Sequence, residues 1–432
     1  MKKISRPYSI AYGLIFLSFI DLFTHFLPPV IYALLLLMMM FLFLNRNEKI
    51  YVCLLVLSVP IGSFFYMYSV RGVGGYVYIL GLFFFLLNVI ERKIQVKGYK
   101  SAFISLFAIF VMLFFSVITS YGGDYAPQKL RYTIMMGILS FIAFDTLFTS
   151  MKNVDVRFLS LYLLLLSYMV LRSSIEVNNI AGPSSVFDLG FLRNQTRTND
   201  IFQLGEEGFR LSYHLPGAIA LQAFGIFCLK NKLTSKVSLV FIVLTSIPIL
   251  YSGARQSIVV FFLMLMIKFL LDEKNARTFS KMIIMLIVTV CIGGIIHYMS
   301  KDGGLFSSVA HGGMLEGGNR DVDFLRGIMN FINSPIFGIG YGRDSLMGEY
   351  NQYAHNIVLE LLGETGLVGF LLVFFVFIRC YRKCKGSVDV WLILFLAFIG
   401  PAMFSSGFDT NIRVVSFILA VSCSFNNKKI TN

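Results

Sequence analysis

The sequence predicts an all-α polytopic membrane protein with about 12–14 transmembrane helices and two long outer loops. Composition is the first reason: of 432 residues, 57% are hydrophobic and only 14% charged. The mean hydropathy of +0.76 exceeds what a water-soluble surface tolerates. Patterning is the second, since apolar residues arrive in blocks of about 17–25, the length a helix needs to cross a hydrocarbon layer. The third is the character of each block. Runs such as Leu34 to Leu44 are apolar on every side, whereas barrel strands alternate polar with apolar positions. A lone strand would also leave its amides unpaired in lipid.

In chain order the blocks predict spans near 8–26, 28–44, 50–69, 73–90, 101–120, 131–149, 157–172 and 213–229. Six more follow near 236–251, 255–271, 282–299, 355–379, 389–406 and 411–425. The first block follows Met1-Lys2-Lys3, as a signal peptide would, but no small-residue cleavage pattern comes after it and Asp21 interrupts it. It reads as a retained helix. Cysteines at 53, 228, 291, 380, 384 and 423 fall in apolar blocks or a basic connection, which suggests neither a disulfide framework nor a zinc site.

Fourteen spans put both termini on one side, and loop charge says which. Arg92, Lys93, Lys97 and Lys100 share a side with Lys230, Lys232, Lys236, Arg379, Arg382, Lys383 and Lys385, which makes that side the cytoplasm. On this layout 23 of the 37 Lys and Arg residues lie inside and 13 outside, with Lys268 within a span. The net charge of +14 is thus mostly a topological signal and not a nucleic-acid surface. Residue type is also uneven: 11 of the 13 outer basic residues are Arg, whereas 16 of the 23 inner ones are Lys. Topology does not require that difference. A guanidinium grips phosphate oxygens in pairs, so the outer face suits a phosphorylated ligand; alternatively the arginines pair with loop acids such as Glu206, Glu207, Asp321 and Asp323.

The chain divides accordingly into N-terminal spans (1–172), a first long outer loop (173–212), central spans (213–299), a large outer loop (300–354) and C-terminal spans with a tail (355–432). Loops this long are usually functional or disordered. The second is patterned: Asn319 or Asp321 can cap a helix whose apolar residues Phe324, Leu325, Ile328, Met329 and Ile332 recur at helical spacing. Ser334-Pro335 stops it. Too short to span a bilayer, it is expected at the outer interface with Arg320 and Arg326 near headgroup depth. Phe337-Gly338-Ile339-Gly340-Tyr341-Gly342 then reads as turn chemistry.

Several chemistries are disfavoured. The histidines at 25, 214, 297, 311 and 355 have no ligand spacing, and no phosphate-binding glycine loop ends in Lys-Ser/Thr. An enzyme of this design must receive its energy with an activated substrate, as lipid diphosphate-linked sugars supply. His355-Asn356, nine residues, Gly366, two residues and Gly369 is the most informative spacing. It puts His355 at the outer end of a span and the glycines one turn apart, where they allow close packing. The histidine suits a general base or a hydroxyl holder near neutral pH, and equally an interfacial anchor. Glu360 and Glu364 lie one turn apart in the same span, where ionisable residues are expensive; Glu360 could tune His355 from below, but five residues along a helix, about 7.5 Å, make direct contact awkward, so it is read mainly as a packing or hydrogen-bonding residue. Asp21 and Asp145 read as helix-pairing or near-interface residues, and Trp391 as an interfacial anchor.

That His-Asn…Gly…Gly pattern resembles the signature of the Wzy/WaaL superfamily of O-antigen polymerases, O-antigen ligases and bacterial oligosaccharyltransferases. Other elements agree in order. Ser252-Gly253-Ala254-Arg255-Gln256-Ser257 is similar to the family's Ser-Arg element opening a span, although the family often has Gly where Gln256 stands. Arg320 through Ser334-Pro335-Ile336-Phe337-Gly338-Ile339-Gly340 resembles its run from an Arg to a Pro and a glycine-rich turn. Arg210 with Leu215-Pro216-Gly217 loosely resembles an Arg-containing entry to an earlier span, without the usual Asn-rich continuation. These elements cover roughly residues 205–370.

The resemblance implies a GT-C-like membrane glycosyltransferase at the bacterial inner membrane, with cytoplasmic termini and a periplasmic site. It needs no metal and no cofactor. His355, Arg255 and Arg210 are the expected catalytic residues; Arg320, Asn356, Arg326, Arg343 and Tyr341 are expected at the substrate. Expected partners are an undecaprenyl-diphosphate-linked oligosaccharide, membrane lipids and a chain-length determinant of the Wzz type, with no nucleic acid. The expected activity is polymerisation of lipid-linked repeat units into O-antigen or capsule. Ligation of glycan to lipid A-core is the rival within the family, and a lipid-linked oligosaccharide flippase the rival from another class. The lack of a large further C-terminal domain disfavours a protein oligosaccharyltransferase.

Overall fold

The structure is a computed structural model. It describes residues 6–27, 100–119, 156–177, 182–183, 190–192, 214–228, 236–272, 320–343 and 356–383, with further helical residues within 31–39, 126–141 and 412–419. Among these, every regular element is helical: α1 (Arg6–Thr24), α2 (Lys100–Thr119), α3 (Val156–Val177), α4 (His214–Cys228), α5 (Lys236–Ser252), α6 (Arg255–Asp272), α7 (Arg320–Asn333) and α8 (Ile357–Lys383). Their positions match the expected spans, plus the expected loop helix. The spans near 50–69, 73–90, 282–299 and 389–406 lie outside the described residues.

Among the described residues, two helices, across Ala102–Thr119 and Ile357–Cys380, are long and apolar enough to cross a bilayer, and five shorter apolar helices accompany them. Large apolar side chains stand exposed along these helices, among them Phe107, Phe115, Ile118, Leu239 and Phe375. Water does not tolerate such surfaces, and lipid does. The architecture is that of an all-α polytopic membrane protein.

The chain forms two compact units. One comprises Met1–Lys49, Asn153–Gly312 and Asp389–Pro401; the other comprises Ile50–Lys152, Gly313–Val388 and Ala402–Asn432.

In the first unit α3 is the central helix, packed by α1, α4 and α5. Its residues from Leu161 to Leu166 and Tyr168 to Leu171 are nearly all buried, as a helix apolar all round requires. Polar groups in this core are paired locally. Ser173 and Ser174 donate to carbonyls one turn earlier, and Ser167 donates to the Pro216 carbonyl at 2.7 Å. Pro248 lies inside α5 and has no N–H to give Leu244. The Tyr168 hydroxyl takes over, donating to the Leu244 carbonyl at 2.8 Å. Asp21 is held as a pairing residue, in keeping with its reading from sequence. It accepts from the Leu27 amide (2.7 Å) and the Tyr32 hydroxyl (2.9 Å), and Arg172 Nε lies 3.4 Å away as a charge contact. Gly253, at φ 68°, ends α5 in the left-handed conformation, and α6 starts two residues on.

In the second unit α7 packs on α8, and α2 packs on α8 as well. Gly363 of α8 meets the Gly327 carbonyl and Asn330 of α7, where a methyl group would already press at 3.2–3.3 Å. Gly137 likewise sits against Phe110 of α2 and Ile412. Small residues thus set the close helix crossings, as in lipid they must.

Candidate functional site: a broken helix and a buried ion cluster

The second unit is organised around an interruption of α8. Gly366 has φ 64° and ψ −166°, outside helical space, so the helix changes course there. A break of this kind frees backbone groups, and buried in a bilayer they must find partners. The glycine-rich turn after α7 supplies them. In an unbroken helix the Leu367 and Val368 amides would bond the Gly363 and Glu364 carbonyls. Here Leu367 donates to the Pro335 carbonyl (2.9 Å) and Val368 to Ile336 (3.2 Å). The two carbonyls left behind accept from Ile339 (2.9 Å) and Gly340 (3.0 Å). Two consecutive helical bonds are thus exchanged for four bonds to the loop.

The sequence permits this only because side chains are missing where the backbones meet. A Cβ on Gly366 would collide with the Ile336 carbonyl, and one on Gly338, itself at φ 72°, with the Glu364–Thr365 peptide. Ser334 closes the turn from both directions: its carbonyl accepts from Gly338 N–H (2.9 Å), and its hydroxyl donates to the Gly338 carbonyl (2.7 Å). The expectation that Gly366 and Gly369 permit close packing is met differently at each. Gly366 provides a backbone turn, while a Cβ on Gly369 would collide with the Thr365 side chain of its own helix and come within 3.2 Å of Met112 on α2.

Beneath the junction lies a cluster that the sequence reading missed. Lys129 Nζ contacts Glu360 Oε1 at 2.7 Å and the two oxygens of Glu364 at 2.9 and 2.8 Å, with all three side chains about 1% exposed. The same ammonium lies 4.6 Å from the centre of the Tyr341 ring. Tyr341 is buried; its hydroxyl shares a 2.6 Å hydrogen bond with Thr133, and its amide donates to Ser116 Oγ at 2.9 Å. Glu360 therefore has a defined partner, in line with its reading as a hydrogen-bonding residue. Lys129 passed unnoticed because its partners are 231 and 235 residues away, beyond any spacing rule. Its one signal was to be a rare lysine among outer arginines.

Of the expected site residues, four with described side chains fall in this unit. Asn356 is the N-cap of α8: its Oδ1 accepts from the Val358 (2.9 Å) and Leu359 (3.1 Å) amides, and its carbonyl from Glu360 (2.9 Å). Arg326 is half-buried on α7. Arg343 ends the glycine turn, its amide donating to the Gly340 carbonyl at 3.2 Å, and Tyr341 has the internal position already given. Arg320 and Arg255 are the first residues of α7 and α6. Arg255 belongs to the first unit, where His214 Nδ1 and Gln256 Nε2 lie 3.2 Å apart. His355 and Arg210 lie outside the described residues.

A membrane protein with a broken helix, whose loop partner carries arginines, is the class that fold and site define. Residues 240–374 match the Wzy_C family model, described as O-antigen ligase. This segment runs from α5 through the α7–α8 junction, and the match supports the Wzy/WaaL superfamily and an enzyme of the O-antigen ligase or polymerase type. No curated protein matches the chain.

Proposed function

We propose that this protein polymerises undecaprenyl-diphosphate-linked oligosaccharide repeat units into O-antigen or capsular polysaccharide at the periplasmic face of the inner membrane. The observation that supports this reading most is the junction itself. Two stretches that resemble the superfamily, Ser334–Gly340 and the Asn356…Gly366…Gly369 pattern, are bonded backbone to backbone. Motifs distant in sequence thus form one physical object, and both lie in the matched segment.

In this reading the acceptor is a sugar hydroxyl of one lipid-linked repeat, and its oxygen attacks the anomeric carbon of another lipid-linked glycan. The carbon–oxygen bond to the diphosphate breaks, with inversion. His355 takes the hydroxyl proton, and undecaprenyl diphosphate departs with the electron pair. Arg210, Arg255 and Arg320 neutralise the charge that develops on the leaving oxygens, in place of a metal ion. Arg326 and Arg343 serve the phosphate or glycan. Asn356, whose oxygen caps α8, fixes the helix end next to His355. The exposed apolar face of α7, with Leu325, Ile328, Met329 and Ile332, suits the outer membrane interface. A chain-length determinant is the expected protein partner.

Ligation to lipid A-core is the rival, and one gel separates the two. In a deletion strain, lipid A-core bearing a single repeat marks a polymerase. Long chains that persist on undecaprenyl diphosphate and never reach lipid A-core mark a ligase instead, and would overturn the polymerase reading.

A further inference from the structure

The break at Gly366 sets residues 357–365 off as a short helical stub, and two of the helical bonds that would tie it to the rest of α8 go to the loop instead. Three anchors hold it. The glycine turn bonds its Gly363 and Glu364 carbonyls, and Gly327 of α7 abuts Gly363. The third is Lys129, which grips two successive turns of the stub through Glu360 and Glu364. Asn356 caps the outer end of that stub, and His355 is the residue before it.

We propose that Lys129, with Glu360 and Glu364, is a positioning device that sets the pitch of the stub and hence the placement of the His355-Asn356 pair; this rests on the reading of His355 as the group that serves the acceptor hydroxyl. Burial keeps the three side chains away from substrate, so they act through the helix and not by contact. The charge balance fits a retained, specific role. One ammonium faces two carboxylates in a dry interior, an arrangement costly to build, since an apolar trio of similar volume would often be as stable. The second carboxylate, Glu360, sits in the first turn of α8, where the amide ends of the helix favour negative charge. Two carboxylates on successive turns fix both tilt and rotation of the stub, which a single pair would not. The glycine turn alone cannot do this, because it bonds the stub only at residues 363 and 364, at its inner end.

The test uses the full-length protein in lipid nanodiscs, supplied with undecaprenyl-diphosphate-linked repeat units extracted from a deletion strain. Glu360→Gln keeps the Lys129–Glu364 ion pair, and a triple variant, Lys129→Met with Glu360→Gln and Glu364→Gln, removes these three charges together. Both are expected to melt near the wild-type temperature. Turnover should nonetheless fall about tenfold or more, because small misplacements of a reacting group are costly, while KM for the lipid-linked substrate stays within about twofold. Wild-type turnover in both variants, with His355→Ala inactive, overturns the positioning role. So does a loss of turnover that only tracks a lowered melting temperature. An active His355→Ala instead overturns the underlying reading of His355, which keeps the two failures distinct.

Discussion

At the scale of single residues, the chemistry is proposed to rest on a few groups that are hard to replace. His355→Ala and Arg255→Ala should each abolish polymer while protein accumulates normally in membranes, as blots beside polysaccharide gels would show. Arg255→Lys should recover little activity, because an ammonium cannot offer two parallel donors to a diphosphate; full activity in that variant would remove the bidentate grip from the mechanism. Gly366→Ala probes structure instead. The left-handed φ alone costs a non-glycine residue about 1–3 kcal/mol, and the added methyl would strike the Ile336 carbonyl. A clear drop in melting temperature and loss of polymer are expected, and an unperturbed melt would contradict the geometry of the break. Residue identities were legible from sequence where spacing carried them, as for Asn356 at a helix start. Tyr341 shows the limit: it read as a substrate contact, yet the structure uses its hydroxyl on Thr133 and its ring beside Lys129.

At the scale of elements, periodicity did most of the work. The apolar spacing from Phe324 to Ile332 and the stop at Ser334-Pro335 located α7 almost to the residue, because a capped amphipathic helix writes its ends into the sequence. The interruption of α8 was not legible. Its hydropathy is continuous, and a glycine that packs looks the same as a glycine that turns until the loop across from it is known. Pro248 was similarly silent, since the hydroxyl that answers it comes from Tyr168 on another helix. The outer-interface placement of α7 is open to a direct measurement. The sequence holds one tryptophan, Trp391; in a Trp391→Phe background, Met329→Trp should be strongly quenched by lipids brominated high on their acyl chains. Emission that ignores brominated lipid would put that face of α7 out of the membrane.

At the scale of the whole molecule, charge and hydropathy together predict orientation as well as class. Reporter fusions after Lys232 should report cytoplasm and those after Arg343 periplasm; the reverse result would invert the topology and move the proposed site to the wrong face for a lipid-linked glycan. Polymerisation in purified membranes should proceed unchanged in excess EDTA, and a chelator-sensitive reaction restored by divalent cation would replace the arginine-based account of leaving-group departure. Class was legible because lipid imposes it on every span. The Lys129 cluster was legible only in halves: Glu360 and Glu364 stood out as ionisable residues in a span, but nothing in either segment names a partner 231 or 235 residues away. The exchanged hydrogen bonds at Gly366 have a kinetic corollary. The amides of Ile339, Gly340, Leu367 and Val368 form a closed circuit between loop and helix, so none can be exposed alone without stranding a partner. In deuterium exchange the four should open as a set with a common rate. The turn that reaches the junction would then behave as a fixed wall, and in the proposed activity any door for the glycan must hang from another stretch of the chain.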